Sequence, residues 1–122
     1  MTAIGRMWGG LKARARWSWE GFRHVLRTEG SLRQWIAANL ASAPLAMALP
    51  LSPGERAAIL MGGVMVLAME CMNTAIERVV DDVSEARRPR AKQAKDAGSA
   101  AVALTAVAVG VAWASALLRL LM

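Results

Sequence analysis

Residues 70–81 read ECMNTAIERVVD, and the interpretation of the whole chain starts from this stretch. It follows an apolar run, residues 57–69, that is typical of the first half of a membrane span. On a helix with about 100° per residue, Glu70, Glu77 and Asp81 fall within roughly 40° of one another. Ionisable groups inside a membrane helix are costly and usually mark a functional site. The alternative is a helix that has already left the bilayer, with these charges solvated.

Composition favours a membrane protein of one domain, residues 1–122. The chain is 56% hydrophobic, its apolar residues come in blocks, and its net charge is +6. The basic residues lie beside apolar segments, where they meet anionic lipid and set the topology, so nucleic-acid binding is not expected. Cys71 is the one cysteine and cannot form an intrachain disulfide. The first thirty residues lack the uninterrupted apolar region of a signal peptide.

Hydrophobic periodicity predicts an all-α integral membrane fold. Residues 6–28 place Trp8, Trp19 and Phe22 on one stripe with Arg on the other sides, which is typical of an amphipathic helix lying in the membrane interface. His24 in this helix is interpreted as solvated or lipid-facing. Three transmembrane helices are predicted at residues 32–51, 55–84 and 98–118, joined by a turn near residues 50–54 and a polar loop at 84–95.

Capping residues and basic residues set the ends of these helices and their orientation. Ser31 is expected as the N-cap of the first span, and Ser52 with Pro53 as the N-cap and first turn of the second. Lys and Arg concentrate in the N-terminal segment and in the 84–95 loop. Both segments should therefore be cytoplasmic and the C-terminus outside, which places Asp81 at the headgroups and Glu70 about 16 Å deeper.

Carboxylates from three segments are expected to converge at this cytoplasmic end: Glu29, the 70–81 face and Asp96, which follows Lys95. Such a cluster can hold Mg²⁺, which prefers oxygen ligands and shares them with substrate phosphates. A lysine supplies charge for those phosphates, and a further carboxylate can act as a base on a hydroxyl, so the residues suit phosphoryl transfer. The phosphate-binding loop GxxxxGK is absent. A proton-coupled transporter and a purely structural membrane protein remain alternatives at this point.

The chain resembles the prokaryotic diacylglycerol kinase family of small membrane lipid kinases. The family signature Glu-x-x-Asn-(Ser or Thr)-Ala-Ile-Glu-x-x-Val-Asp is complete in residues 70–81. A second motif matches residues 94–102, which read AKDAGSAAV, and Glu29 with Arg33-Gln34 and the segment 18–21 resemble two further motifs. The resemblance covers nearly the whole chain.

This resemblance implies a homotrimer in the bacterial inner membrane, with active sites shared between subunits, that uses ATP and Mg²⁺ to phosphorylate diacylglycerol. By position, Glu70 would be the general base, Asn73 would orient Glu70 or the phosphate, and Glu29 and Glu77 would hold the metal. The implied ATP contacts are Trp17, Glu29, Glu77, Ala86, Arg87, Arg88, Lys95 and Asp96. The implied lipid contacts are Arg14, Ala15, Ser18, Trp19, Arg23, Ser31, Leu32, Arg33, Gln34, Trp35, Arg56, Glu70, Ser99 and Trp113.

The chain departs from the family pattern at three positions. Gly10 stands where relatives can carry an Arg near the phosphates, and Arg6 or Lys12 is a candidate substitute. Leu32 replaces a usual Phe, and Trp35 stands where some relatives have Glu. Undecaprenol kinase is the same-class alternative. The segment 95–101, KDAGSAA, is closer to the diacylglycerol kinase pattern and favours diacylglycerol.

Overall fold

The structure is a computed structural model that describes residues 2–122, and over that range it contains four helices and no strand. They are α1 (Ala3–Thr28), α2 (Gly30–Ala48), α3 (Pro53–Val83) and α4 (Pro89–Leu121). The predicted all-α fold is confirmed. α1 begins three residues earlier than predicted, and α4 begins at Pro89, so most of the expected polar loop at 84–95 is helical. Proline suits the first turn of a helix because its missing N–H would be unpaired there anyway.

Helix ends follow local capping chemistry, with one correction to the prediction. Ser52 caps α3 as expected: its hydroxyl accepts from the Glu55 N–H at 3.3 Å, and Glu55 accepts from the Ser52 N–H at 2.7 Å. Ser31 does not cap α2, because the helix begins at Gly30 with Glu29 as a cap residue that makes no side-chain capping bond. The predicted N-cap at Ser31 is therefore wrong, and its hydroxyl donates to Glu70 instead.

A small apolar core joins α2, α3 and α4 at the end of the bundle that holds the α2–α3 turn. Its buried members are Ala46, Leu51, Ile59 and Ala116. The same end is closed by Arg56, which donates to the carbonyls of Ala46, Leu49 and Leu51, and by an ion pair between Arg119 and Glu55 at 2.6 Å. Packing, hydrogen bonds to backbone carbonyls and an ion pair thus hold the helices together here, and we call this the structural end of the bundle.

Close helix packing continues along the middle of the bundle. A Cβ at Gly62 would stand 2.7 Å from Cγ2 of Val109, so glycine is what lets α3 and α4 approach there. Asn39 of α2 donates to the Gly63 carbonyl at 3.2 Å and to its own helix at the Trp35 carbonyl. Interhelical bonds of this kind stabilise helix contacts where water is excluded.

Much of the apolar surface of α3 and α4 faces outward. Within the described chain these two helices are long and apolar enough to cross a membrane, yet only 28% of the most apolar stretch of α3 and 11% of that of α4 is buried. Soluble proteins rarely expose such surfaces. The fold is therefore that of an all-α membrane protein. α2 is shorter, contains Pro44, and is not one of the two helices that meet this length and composition requirement.

Candidate active site

Glu70 is a buried carboxylate in the middle of α3. Glu70 is only 5% exposed. Its carboxylate accepts a hydrogen bond from the hydroxyl of Ser31 in the first turn of α2. Leu32, the next residue of α2, is fully buried, which anchors that turn in the bundle. The short connection at Glu29 thus brings a hydroxyl donor to a carboxylate that is largely shielded from solvent.

One turn further along α3, Asn73 and Glu77 form a second polar pair. Nδ2 of Asn73 donates to Oε1 of Glu77 at 3.1 Å. The other amide atom, Oδ1 of Asn73, is buried and has no hydrogen-bond partner. It faces Gly98 of α4, where a Cβ would overlap it. Glycine at position 98 therefore lets α4 pack directly against the Asn73 amide that holds Glu77.

Glu29 reaches the same part of α3 from the junction between α1 and α2. Its Oε1 accepts from Nη2 of Arg78 at 3.1 Å. Arg78 directly follows Glu77 on α3, so this contact ties Glu29 to the C-terminal part of that helix. The structure thereby brings Glu29 to the signature helix, as the sequence reasoning expected.

A cavity of about 570 Å³ lies where α3 ends and α4 begins. We call it the basic cavity because its basic side chains, Arg87, Arg88, Lys92 and Lys95, outnumber its acidic ones, Asp81, Glu85 and Asp96. Two ion pairs stand at it: Lys95 with Asp81 at 2.6 Å, and Lys92 with Asp96. Nη2 of Arg88 donates to the carbonyls of Val80 and Ser84, both at 3.2 Å, and so caps α3. Five of the expected nucleotide contacts line this cavity: Ala86, Arg87, Arg88, Lys95 and Asp96.

The carboxylates fit a metal that is shared with a substrate. The described residues hold no group of three or more His, Cys, Asp or Glu side chains that could bind a metal by themselves. Mg²⁺ normally takes one or two carboxylates and completes its shell with water and phosphate oxygens. Glu29 and Glu77 each engage Oε1 within the chain, which leaves Oε2 of each as a possible ligand. The donor set therefore suits Mg²⁺ bound together with phosphates and not a closed protein cage.

Other expected residues line separate grooves. Trp17 and Ser18 face Cys71, Thr74 and Arg78 across a groove of about 470 Å³ between α1 and α3, outside the basic cavity. A further groove on α1 is lined by Arg6, Met7, Trp8, Gly10, Leu11 and Arg14. Arg6 thus lies beside Gly10, the position where an arginine is missing.

Several expected lipid contacts have other partners or lie elsewhere. Arg56 and Trp113 are in the structural end of the bundle, where Nε1 of Trp113 donates to the Ser42 hydroxyl at 2.9 Å. Arg56 is about 21 Å along α3 from Glu70. Arg33 donates to the carbonyls of Leu26 and Arg27, both at 3.3 Å, and Leu32 has no exposed surface.

The remaining expected lipid contacts are accessible and lie on α1, α2 or α4. Trp19 is 61% exposed and stacks on Phe22 with ring centroids 6.4 Å apart, whereas Trp35 is half-buried beside Asn39. The exposed members are Ala15, Arg23, Gln34 and Ser99.

The sequence reasoning missed the partners of Arg78. This arginine contacts Nε2 of His24 at 2.5 Å and donates to Oγ1 of Thr28 at 2.8 Å, in addition to Glu29. His24, interpreted as solvated or lipid-facing, is exposed but bonded. The sequence contains no local signal for these contacts, because 49 to 54 residues separate the partners.

Fold and site together define a class: an all-α membrane protein with a buried carboxylate, Glu70, on the helix that leads into the basic cavity. Comparison with known proteins agrees. The sequence model of the family described as prokaryotic diacylglycerol kinase matches residues 16–117. The chain is 40% identical over 102 residues to the diacylglycerol kinase of Pseudomonas aeruginosa, covering 84% of this chain and 83% of that one. It is 31% identical over 99 residues to the Escherichia coli K12 diacylglycerol kinase, covering 81% of each, and 29% identical over 98 residues to that of Haemophilus influenzae, covering 80% of this chain and 83% of the relative.

The chain belongs to the prokaryotic diacylglycerol kinase family. It is a lipid kinase, and this membership decides against a transporter and against a purely structural membrane protein. A kinase takes its phosphoryl group from a nucleotide, a reaction that generally needs a metal ion.

Proposed function

We propose that this protein transfers the γ-phosphoryl group of ATP to the free hydroxyl of 1,2-diacylglycerol and so forms phosphatidic acid, with Mg²⁺ as the metal. The names of the relatives and the 95–101 pattern support diacylglycerol as the acceptor. The reaction takes place at the cytoplasmic interface of the bacterial inner membrane, where a membrane-dissolved alcohol and a water-soluble nucleotide can meet.

The contact between Ser31 and Glu70 carries the proposal. A buried carboxylate that accepts a hydrogen bond from a hydroxyl already has the geometry that a general base needs toward an alcohol. The lipid hydroxyl would take the place of the Ser31 hydroxyl as donor. Glu77 lies about 10 Å further along α3, toward the basic cavity, so the base and the phosphate-binding residues are separated along one helix.

Each residue then has a chemical task. Glu70 accepts the proton of the lipid hydroxyl while the lipid oxygen forms a bond to the γ-phosphorus. The bond from that phosphorus to the β–γ bridging oxygen breaks, and ADP leaves. Glu29 and Glu77 would hold the Mg²⁺, which when bound offsets phosphate charge. Asn73 fixes the Glu77 carboxylate through Nδ2. Lys95 and Arg88 line the basic cavity, where their positive charges would attract the phosphates of ATP.

The assembly and topology that accompany this function are also proposed. α2 would be the third membrane-crossing helix, the N-terminus and the α3–α4 connection would face the cytoplasm, and the C-terminus would face outward. A homotrimer with sites shared between subunits would cover part of the outward-facing apolar surface of α3 and α4. Trp17 and Ser18, which lie outside the basic cavity within one chain, could then belong to a site completed by a neighbour.

The deciding experiment measures phosphate transfer from radiolabelled ATP to diacylglycerol in detergent micelles, with undecaprenol offered in parallel. Glu70→Gln should lower the rate by about 10²- to 10⁴-fold, because amide nitrogen and oxygen cannot accept the proton. Glu20→Gln is the matched control, since Glu20 is exposed on α1 and, within the part of the chain that the structure describes, forms only a surface pair with Arg16. Near-normal turnover of Glu70→Gln would refute the base assignment, and preference for undecaprenol would refute the substrate.

A further inference from the structure

Arg78 makes every side-chain hydrogen bond that joins α1 or Glu29 to α3 in the described chain. One nitrogen, Nη1, contacts Nε2 of His24 at 2.5 Å, and the other, Nη2, donates to Oγ1 of Thr28 at 2.8 Å and to Oε1 of Glu29 at 3.1 Å. Thr28 is itself fixed, because its hydroxyl donates to the His24 carbonyl at 3.1 Å. The guanidinium therefore spans the last turn of α1 and the first residue beyond it.

Glu29 depends on this contact. It is the single residue between α1 and α2, its backbone is extended, and its side chain makes no capping bond to α2. Arg78 is the one side chain that holds its carboxylate in the described structure. The bond uses only Oε1, so Oε2 stays available. A ligand carboxylate held by a second residue needs less reordering when a metal binds.

Burial contributes little to the position of α1. None of its described residues is buried, and Trp8, Trp17 and Trp19 are more than half exposed. The apolar contact that exists is the groove in which Trp17, Gly21 and Phe22 face Cys71 and Thr74. With so little buried surface, polar contacts hold the end of α1: Arg33 binds it from α2, and the three contacts of Arg78 bind it from α3.

We propose that Arg78 is a positioning residue of the kinase site: it docks the end of α1 on α3 and sets the Glu29 carboxylate beside Glu77 for the metal–nucleotide complex. This inference rests on the proposed role of Glu29 as a metal ligand. Arginine suits the task because its planar fork can reach three acceptors at once, whereas lysine offers a single point of charge.

The first test measures metal binding and not turnover. Mn²⁺ serves as the probe metal with a non-hydrolysable ATP analogue, and binding is read as the change in the EPR signal that the protein adds to that of Mn²⁺ and the analogue alone. Arg78→Ala should weaken Mn²⁺ binding by about tenfold, the usual effect of removing a residue that orients a metal ligand. Arg78→Lys should recover only part of the loss. The Mg²⁺ concentration for half-maximal kinase activity should shift in parallel.

A second test follows the docking of α1 through the native thiol. Cys71 is half-buried in the α1–α3 groove, so its alkylation by a maleimide in micelles should accelerate in Arg78→Ala as α1 moves away. Arg16→Ala is the matched control because Arg16 is an exposed arginine of α1 whose only ion pair among residues 2–122 is with Glu20. It should change neither alkylation nor metal binding.

The variants separate the two levels of the proposal. If Glu29→Gln weakens Mn²⁺ binding but Arg78→Ala does not, Arg78 has no positioning role and the proposed function stands. If Glu29→Gln leaves Mn²⁺ binding unchanged, Glu29 is not a metal ligand and the positioning inference falls with that assignment. Unchanged alkylation of Cys71 in Arg78→Ala refutes the docking part. A well-folded helical spectrum of each variant is required for the comparison.

Discussion

At the scale of single residues, the site is a chain of polar contacts along one helix face. Ser31 donates to Glu70, Asn73 donates to Glu77, and Arg78 donates to Glu29. Each contact engages Oε1 of a glutamate and leaves its Oε2 without a bond in the described chain. The Asn73 contact also depends on Gly98, because Oδ1 of Asn73 is buried where a Cβ on residue 98 would stand.

Gly98→Ala tests this arrangement. The added Cβ would overlap Oδ1 of Asn73, so the amide must turn away and lose its bond to Glu77. We expect kcat to fall by about tenfold to a hundredfold, as small displacements in an active site do. The cost in stability should be about 1 kcal/mol, because the obstacle is a side chain that can move.

Gly110→Ala is the control for that experiment. A Cβ at Gly110 meets nothing within 4 Å, and the residue lies on the same helix. Gly110→Ala should match the parent protein in steady-state kinetics and in thermal unfolding in micelles. Equal loss of activity in both variants would mean that helix flexibility, and not the Asn73 contact, explains the effect.

At the scale of elements, the two ends of α3 have different tasks. The N-terminal end is held by its capping box, by Arg56 on the carbonyl end of α2 and by the Arg119–Glu55 pair. The C-terminal end carries Glu70, Asn73 and Glu77 and leads into the basic cavity. Changes at the capped end should therefore alter stability with little effect on the reaction.

Ser52→Ala checks this division. Loss of the N-cap should lower the free energy of unfolding by about 1 kcal/mol, measured by denaturant titration in mixed micelles. The apparent KM for ATP and for lipid should not change, because about 27 Å of helix separates Ser52 from Glu70. Ser115→Ala, an exposed serine of α4 without a side-chain hydrogen bond in the described chain, is the control. A changed KM in Ser52→Ala alone would contradict the separation.

At the scale of the whole molecule, one chain leaves much of its apolar surface and part of its expected site uncovered. Exposed side chains such as Val64, Leu104, Val107 and Val111 need lipid or neighbouring subunits as their surroundings. Trp17 and Ser18 line a groove apart from the cavity of Lys95. Both facts agree with the proposed oligomer with shared sites.

Subunit mixing tests this proposal. Glu70→Gln and Lys95→Ala should each be inactive as pure assemblies. When the two are unfolded, mixed and refolded together, activity should return if a site takes these residues from different subunits, because some mixed assemblies then contain one intact site. The measurement is lipid phosphorylation across a series of mixing ratios. Absence of any recovery would show that each site is built from one chain.

The sequence by itself determined the helical fold, the position of α3 and the family, because these depend on local periodicity and on a motif within one helix. Residues 70–81 contain the spacing of Glu70, Asn73 and Glu77 directly. The sequence also indicated that Ser52 caps α3. The sequence did not predict that α4 begins at Pro89, because the charged residues that precede the apolar span look like a polar loop.

Only the tertiary structure decided which residues meet across helices. The bonds of Ser31 to Glu70 and of Arg78 to His24, Thr28 and Glu29 join positions 39 to 54 residues apart. The fit of Asn73 against Gly98 depends on how closely α3 and α4 approach. Such contacts follow from helix packing and chain reversal, which no local pattern encodes. The residue chemistry of the kinase site was therefore readable from the sequence, and its spatial assembly was not.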